Sequence, residues 1–213
     1  MNIKPKGKWA ILRISIYFFI FFYFFGLPLV YSSLYEPKEG DIVFQSLSRA
    51  SDLIRAIEGV TQSNYSHCGV VIQKDGKWYI NEALGDVHST PLKEWIKRGR
   101  GSRVDVFRLH QEHRKHIPAF IKALDKYQDR PYDIRYRMED KFIYCSELVY
   151  KAWRDATQQE LGKLEKLGDL NWEPCTDTIT KYEGGDPPLD RLMITPISLS
   201  KAEQLEKVPL LGG

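Results

Sequence analysis

The sequence has little of what marks a nucleic-acid-binding or disulfide-stapled protein. Its 31 Lys and Arg residues nearly balance 28 Asp and Glu residues, giving a formal net charge of +3, too small an excess for a protein that binds nucleic acid by neutralising phosphates. Three of its 213 residues are cysteine, an odd number that leaves at least one outside any intramolecular disulfide. With 43% hydrophobic and 28% charged residues, the composition fits a globular domain with a substantial core, not a disordered chain or a multi-span membrane protein.

A long apolar run is present at the N-terminus. Four basic residues (Lys4, Lys6, Lys8 and Arg13) precede a nearly uninterrupted apolar stretch from Ile14 to Tyr31. This order is typical of a signal peptide, here with cleavage after Ser32, but about 18 apolar residues also approach the length of a membrane anchor. We therefore expect residues 1–32 to be a signal peptide or an N-terminal membrane anchor. Residues 33–213 are then one exported domain in the cell envelope, periplasmic or anchored facing outside the cytoplasm.

The remaining chain mixes strand and helix patterns. Two apolar-rich segments, 66–73 and 77–84, flank Lys74-Asp-Gly-Lys77, a strong hairpin signal. Spacing of apolar residues predicts helices over 46–58, 91–98, 113–127, 144–156 and 198–207, and further strands over 42–44, 103–109 and 193–195. Residues 168–188 are rich in Gly, Pro, Asp and Thr and predict an irregular or lid-like loop. The fold class is therefore α+β, with a mainly antiparallel sheet packed against helices.

Cys145 lies where an apolar stretch leads into the predicted helix over 144–156. A thiol at a helix N-terminus faces unpaired N–H groups and the positive end of the helix dipole, which favour the thiolate. The same N–H groups can stabilise an oxyanion. The residues alone leave open an inert buried cysteine, since free cysteine is among the most buried residue types.

The hairpin places a histidine and a glutamate together. If Asp75 and Gly76 form the turn, Gly69 faces Glu82 across the strands, and His67 lies diagonally from Glu82 on the same face. We expect Gly69 to leave empty space above it, and Cys68 to point to the opposite face as a core residue. The carboxylate can then orient the imidazole while the other ring nitrogen faces a nucleophile. A hydrogen-bonded structural histidine and an exposed carboxylate are the alternatives, but with Cys145 the combination favours catalysis.

Other candidate sites are weaker. His113 and His116 share a predicted helix face, but the intervening basic residues favour a solvated surface over a metal site. We expect neither a metal nor another cofactor. Cys68 and Cys175 can in principle form a disulfide in an oxidising compartment, although burial of Cys68 on its strand disfavours it.

Four segments together resemble a known family. Residues 40–44 (GDIVF), 66–71 (SHCGVV) and 79–83 (YINEA) resemble the strand and histidine segments of NlpC-type papain-like hydrolases, and residues 144–149 (YCSELV) resemble their cysteine helix. In those enzymes the cysteine helix comes first; here the order is His, Glu, Cys. This order is similar to that of the circularly permuted papain-like thiol hydrolases, the YiiX-like family, and the resemblance covers roughly residues 38–155. It implies a permuted papain-like fold with Cys145 as nucleophile, His67 as base and Glu82 as the orienting acid.

The activity that this resemblance implies is hydrolysis of amide bonds through an acyl-enzyme intermediate, on an acylated, lipid-linked or peptide substrate. Tyr144 and Ser146, beside the nucleophile, are the candidate substrate-binding residues. Two other functions stay open: a peptidase of cell-wall peptidoglycan, and a catalytically silent lipid- or peptide-binding module of the same fold. The expected partners are the substrate and, if residues 1–32 are retained, a membrane.

Overall fold

The computed structural model describes residues 35–209, so the predicted N-terminal segment lies outside the described residues. The strands are β1 (Ile42–Gln45), β2 (His67–Lys74), β3 (Lys77–Leu84), β4 (Asp86–Pro91), β5 (Asp105–Leu109), β6 (Glu165–Lys166), β7 (Leu192–Met193) and β8 (Leu205–Lys207). The helices are α1 (Asp52–Thr61), α2 (Leu92–Arg98), α3 (Ile117–Leu124), α4 (Cys145–Thr157), α5 (Thr176–Glu183) and α6 (Pro196–Ser200). Within residues 35–209, no helix has the length and apolar character needed to cross a bilayer.

The central element is an antiparallel sheet with the order β4-β3-β2-β1-β5-β8. Strands β6 and β7 form a separate antiparallel pair. Helices cover both faces of the large sheet, and the predicted α+β class with a mainly antiparallel sheet is confirmed.

The β2–β3 hairpin has the predicted turn and register. Asp75 and Gly76 both have positive φ angles, 49° and 72°, as a two-residue type I′ turn requires. The pairing continues to Val70 opposite Asn81. Beyond that pair, the first residues of β2 pair with β1 and the last residues of β3 pair with β4. The two strands therefore diverge at the end of the sheet where His67 lies.

Gly69 differs from the prediction in its surroundings. A Cβ atom added there would lie 2.4 Å from Ile80 Cγ2 and 2.8 Å from the carbonyl oxygen of Asn81. The expectation of empty space above Gly69 is wrong, because β3 itself fills that space. The missing side chain lets the two strands approach closely just before they diverge.

The two faces of the sheet have separate cores. One is packed by α3 and α4 and contains Cys68, as predicted, with Val70 on the same strand. The other is packed by α2, whose Trp95 contacts a core that includes Val71 and Ile80. His67 and Cys68 are consecutive residues of β2, so their side chains leave the strand toward opposite faces.

Several predicted elements have different bounds. Helix α1 begins at Asp52, not at residue 46, because the preceding segment is held to the start of β2: the N–H of Leu47 donates to Ser66 Oγ at 2.8 Å. The predicted helix over 198–207 is instead α6 followed by β8, which pairs with β5. The segment 168–188, predicted to be irregular, contains helix α5. Strand β4 was not predicted.

Candidate active site

Glu82 is the most elaborately bonded carboxylate of the site. Its side chain is fully buried and accepts hydrogen bonds from Trp95 Nε1 (2.9 Å), the Thr90 hydroxyl and the Arg98 guanidinium, and it bonds to His67 Nε2. Burial raises the pKa of Glu82, but the hydrogen bond and charge of His67, with the bonds from Arg98 and Thr90, outweigh burial and lower it to about 2. Glu82 is therefore ionised at neutral and mildly acidic pH.

His67 lies between this carboxylate and a thiol. Its Nε2 bonds to Glu82, so Nδ1 is the ring nitrogen left to face Cys145. Burial lowers the pKa of His67, but the hydrogen bonds and negative charges of Cys145 and Glu82 raise it to about 9. The imidazole is accordingly held in its protonated form at neutral pH.

Cys145 is the first residue of α4, as the sequence predicted, and is almost completely buried. A hydrogen bond with the Cys68 thiol lowers the pKa of Cys145 most; burial raises it, and the hydrogen bond and charge of His67 lower it further. The net shift is well below the ordinary thiol value, so the pair is a thiolate beside an imidazolium. The structure thus brings together Cys145, His67 and Glu82, the three residues singled out from the sequence.

Cys145 is one of the residues that line an apolar pocket. The space between its walls is about 760 Å³, a volume that includes open solvent at its mouth. Its walls come from α1, α5 and the segment around β7, and its principal apolar residues are Leu53, Ala56, Ile57, Val60, Leu167, Ile179, Met193 and Ile194. Cys145 therefore borders a mainly apolar pocket.

Helix α5 closes one side of this pocket, although its segment was predicted to be a loop. Hydrogen bonds hold the helix to two neighbouring parts of the chain. Lys181 and Tyr182 bond to Asp52 at the start of α1, at 2.5 and 2.7 Å. On the other side, Arg191 Nη2 bonds to Glu183 Oε2 at 2.9 Å. These contacts fix the wall that includes Ile179.

Tyr136 is a candidate residue that the sequence reasoning did not identify. It lines the pocket with Cys145, and its φ of 54° is unusual for an aromatic residue. The buried Asp133 carboxylate maintains this conformation by accepting from the N–H groups of Arg135 (2.8 Å) and Arg137 (2.6 Å). Such strained positions are concentrated at functional sites. Burial, and next the negative charge of Cys145, raises the pKa of Tyr136, so its hydroxyl remains protonated and able to donate.

The two residues predicted to bind substrate occupy different positions. Ser146 lines the pocket, and its hydroxyl donates to the carbonyl of Ile194 at 2.8 Å. Tyr144 is completely buried, its hydroxyl accepts from the N–H of Ile194 at 2.9 Å, and its ring packs 4.9 Å from that of Tyr136. Substrate binding by these residues stays a prediction; the contacts give Tyr144 a packing role at the start of α4.

The three cysteines are free thiols. Cys175 is half-buried, and its Sγ lies 3.9 Å from the carbonyl oxygen of Ala56 on α1. Among residues 35–209, no group of three or more His, Cys, Asp or Glu side chains is arranged to hold a metal ion.

Comparison with known proteins identifies a matching family and a related structure. Residues 36–209 match the family described as permuted papain-like amidase enzymes, YaeF/YiiX, the C92 family. The chain is 33% identical over 180 residues to the uncharacterized protein YiiX of Escherichia coli strain K12, covering 82% of this chain and 87% of that protein. A crystal structure described as metalloprotein YiiX from Escherichia coli O157:H7 is 31% identical, with a TM-score of 0.76 over 83% of this chain and 98% of that one.

The family match spans nearly all of the described residues, and the YiiX structure shares the fold of this chain. The chain belongs to the permuted papain-like amidase family.

Proposed function

We propose that this protein is a cysteine amidase that hydrolyses amides of apolar acyl groups. Family membership supports a cysteine hydrolase. The observation that carries the finer proposal is that Cys145 is one of the residues lining a mainly apolar pocket. A peptidase of polar cell-wall stems would need polar groups along most of its cleft. The charged residues Arg135, Glu183 and Arg191 line this pocket, but most of its exposed wall is apolar.

The proposed reaction begins with the thiolate of Cys145 attacking the amide carbonyl carbon. The tetrahedral intermediate collapses as the His67 imidazolium transfers its proton to the leaving amine, and an acyl-enzyme thioester remains. The neutral imidazole then accepts a proton from water, whose oxygen attacks the thioester. Release of the carboxylic acid restores the thiolate and the imidazolium. Glu82 holds the ring in one orientation and stabilises its positive charge throughout.

The oxyanion of the intermediate needs donors near Cys145. The backbone N–H groups of the first turn of α4 have no partner within an ideal helix and are directed toward its N-terminal end. Tyr136 adds a protonated hydroxyl in the same pocket. We assign the oxyanion to these groups.

The location of the enzyme is part of the proposal. The basic and then apolar order of residues 1–32 supports an exported domain that is secreted or remains tethered to a membrane. Tethering would place the apolar pocket close to acylated and lipid-linked amides, which partition into the membrane.

The test is hydrolysis of a series of fluorogenic N-acyl amides by the 213-residue chain in detergent. The acyl groups would run from acetyl to palmitoyl. We expect kcat/KM to rise with chain length until the pocket is filled, by up to about fourfold for each added methylene. The Cys145→Ala variant should be inactive on every substrate.

A peptidoglycan stem peptide completes the panel, and the acetyl amide is the reference substrate without a long acyl chain. Cleavage of the stem peptide with no preference for acyl chains would replace the proposal with a cell-wall peptidase. No hydrolysis together with equal alkylation of the three cysteines by iodoacetamide would identify a silent binding module instead.

A further inference from the structure

Apart from the catalytic thiol, three charged residues line the pocket, and two of them are paired with each other. Glu183 and Arg191 form a bidentate ion pair, in which Arg191 Nη1 bonds to Glu183 Oε1 and Nη2 bonds to Oε2 at 2.9 Å. Both side chains are less than one-fifth exposed. Because their charges cancel, Arg135 contributes the unbalanced charge among these three residues.

Most hydroxyl groups of the pocket lining are already engaged within the protein. Those that form hydrogen bonds with other described residues belong to Thr61, Ser66, Tyr136, Ser146, Tyr182 and Thr195. Arg135, in contrast, takes part in hydrogen bonds with residues 35–209 through its backbone alone. A ligand that enters the pocket therefore meets one charged side chain that lacks a partner in the described part of the chain, and that side chain is a guanidinium.

The backbone of Arg135 is fixed at the edge of the pocket. Its N–H donates to Asp133 Oδ1 at 2.8 Å, and its carbonyl oxygen accepts from Arg191 Nη1 at 2.5 Å. Both Arg135 and the preceding Ile134 line the pocket and are exposed to solvent. This stretch of the loop therefore lies where the pocket opens, while the apolar walls of α1 and β7 lie further in.

A guanidinium at the mouth of an apolar pocket suits an amphiphilic anion. Arginine stays charged at every physiological pH, and its planar fork of N–H groups binds two oxygens of a carboxylate or a phosphate at once. If the acyl chain occupies the apolar wall, as proposed above, the part of the substrate beyond the scissile amide lies at the open mouth. An anionic group on that part can pair with Arg135, whereas a cationic one would be repelled.

We propose that Arg135 is a specificity-determining residue that binds an anionic group, a carboxylate or a phosphate, on the amine portion of the substrate. The substrates are then N-acyl amino acids or N-acyl aminoalkyl phosphates. Water adds across the amide as its C–N bond breaks, so the products are a fatty acid and an amine that carries the anion. The inference rests on the proposed function, because it specifies which acyl amides the same site hydrolyses.

The experiment compares three amides that share one acyl chain and differ in the amine portion. N-acylglycine carries a carboxylate, N-acylethanolamine phosphate carries a phosphate, and N-acylethanolamine is neutral. Release of the fatty acid by the 213-residue chain in a non-ionic detergent gives kcat/KM for each. We expect at least one anionic amide to be hydrolysed about tenfold more efficiently than the neutral one, and the better of the two anions identifies the natural group.

Variants of Arg135 assign the preference to its side chain. Arg135→Gln should reduce the ratio of kcat/KM for the anionic and neutral amides to about one, and Arg135→Lys should keep part of it, since lysine retains the charge without the planar fork. The ratio is insensitive to a general loss of activity. Arg137→Gln is the matched control: Arg137 is two residues away on the same loop, lies 3.7 Å from Glu139, and is not one of the lining residues. It should keep the wild-type ratio.

Equal kcat/KM for anionic and neutral amides in the wild-type chain would overturn the inference and leave the acyl amidase in place. A preference that persists in Arg135→Gln would overturn the role of Arg135. If the wild-type chain hydrolyses none of the amides, the proposed function fails and binding decides the inference. Calorimetric titration of Cys145→Ala should then give a Kd about tenfold lower for an anionic amide than for the neutral one, and adding Arg135→Gln should abolish the difference; equal Kd values would overturn the inference.

Discussion

The imidazole of His67 bonds through Nε2 to the buried carboxylate of Glu82, leaving Nδ1 for the thiol of Cys145. This arrangement assigns different tasks to the two ring nitrogens. The nitrogen bonded to the carboxylate keeps its proton, and the other exchanges a proton with the reacting groups. Trp95 and Arg98, both on α2, hold the carboxylate in place by hydrogen bonds. The orientation of the ring is therefore fixed from the face of the sheet that α2 covers.

Replacing Glu82 with Gln should therefore impair catalysis without changing the size of the side chain. We expect kcat/KM to fall about 100-fold or more, because the imidazolium loses the charge that stabilises and orients it. The pKa of His67 should also fall from about 9, moving the alkaline limit of activity to lower pH. The measurement is kcat/KM against pH for the best acyl amide.

Glu94→Gln is the matched control for this change, since Glu94 is exposed on α2. It should retain wild-type kinetics. A Glu82→Gln variant with wild-type kcat/KM and an unmoved alkaline limit would remove Glu82 from the proposed mechanism.

The pH dependence of the wild-type enzyme follows from the same pair. Activity requires a thiolate at Cys145 and a proton on His67, so kcat/KM should rise as the thiol ionises, well below its ordinary pKa, and fall as pH increases through about 9. If kcat/KM instead rose with pH only near 9, the ordinary thiol pKa, that result would contradict the ion pair. Alkylation of Cys145 at pH 6.5 should be much slower in His67→Ala.

Folding stability also changes with pH over part of this pH range, so it has to be measured at the same pH values as kcat/KM. The pKa of His67 is raised from 6.5 to about 9 on folding, so its stabilisation is complete below pH 6.5 and is lost as pH rises through 9. The pKa of Glu82 is lowered from 4.5 to about 2, so its stabilisation is present above pH 4.5 and is lost as pH falls through 2. Tm at each pH separates unfolding from loss of the active protonation state.

The hairpin of β2 and β3 shows which part of the site the sequence can predict. Its turn residues determine the register, and the register places His67 and Glu82 on one face from local information alone. The sequence did not reveal that Ile80 and Asn81 of β3 lie close against Gly69, or that the pairing of β2 with β3 ends at Val70. The pairing ends where the first residues of β2 pair with β1, a contact with an earlier part of the chain that the hairpin residues do not specify.

The pocket was less predictable for the same reason. Helix α5 is short and polar along much of its length, and its position depends on the bonds of Lys181 and Tyr182 to Asp52, more than 120 residues earlier. The Gly- and Pro-rich residues on either side of α5 favour a loop when only the local sequence is considered. Trp95 and Arg98 were likewise not identified as partners of Glu82, because α2 lies across the sheet from the cysteine helix.

Filling the pocket should change which acyl chains are accepted. Ile179 lies on the pocket side of α5, and Ile179→Trp would place a larger side chain in the space proposed for the acyl group. We expect kcat/KM for a long-chain amide to fall at least about tenfold, while that for the acetyl amide changes by less than about twofold. Thr180→Trp, on the exposed side of the same helix, is the control and should leave both values unchanged. Equal losses for long and short chains would place the acyl group elsewhere.

The role of Tyr136 can be tested by removing its hydroxyl and keeping its ring. Tyr136→Phe preserves the packing on Tyr144, so the fold and the position of Cys145 should be maintained. If the hydroxyl donates to the oxyanion, kcat should fall by roughly 100-fold with little change in KM, because the bond forms only as the carbonyl oxygen acquires charge. Tyr132→Phe removes the hydroxyl that bonds to Tyr136 at 3.1 Å and leaves Tyr136 itself in place, so its loss should be smaller. A raised KM with unchanged kcat in Tyr136→Phe would show that the tyrosine binds the ground-state substrate and is not part of the oxyanion site.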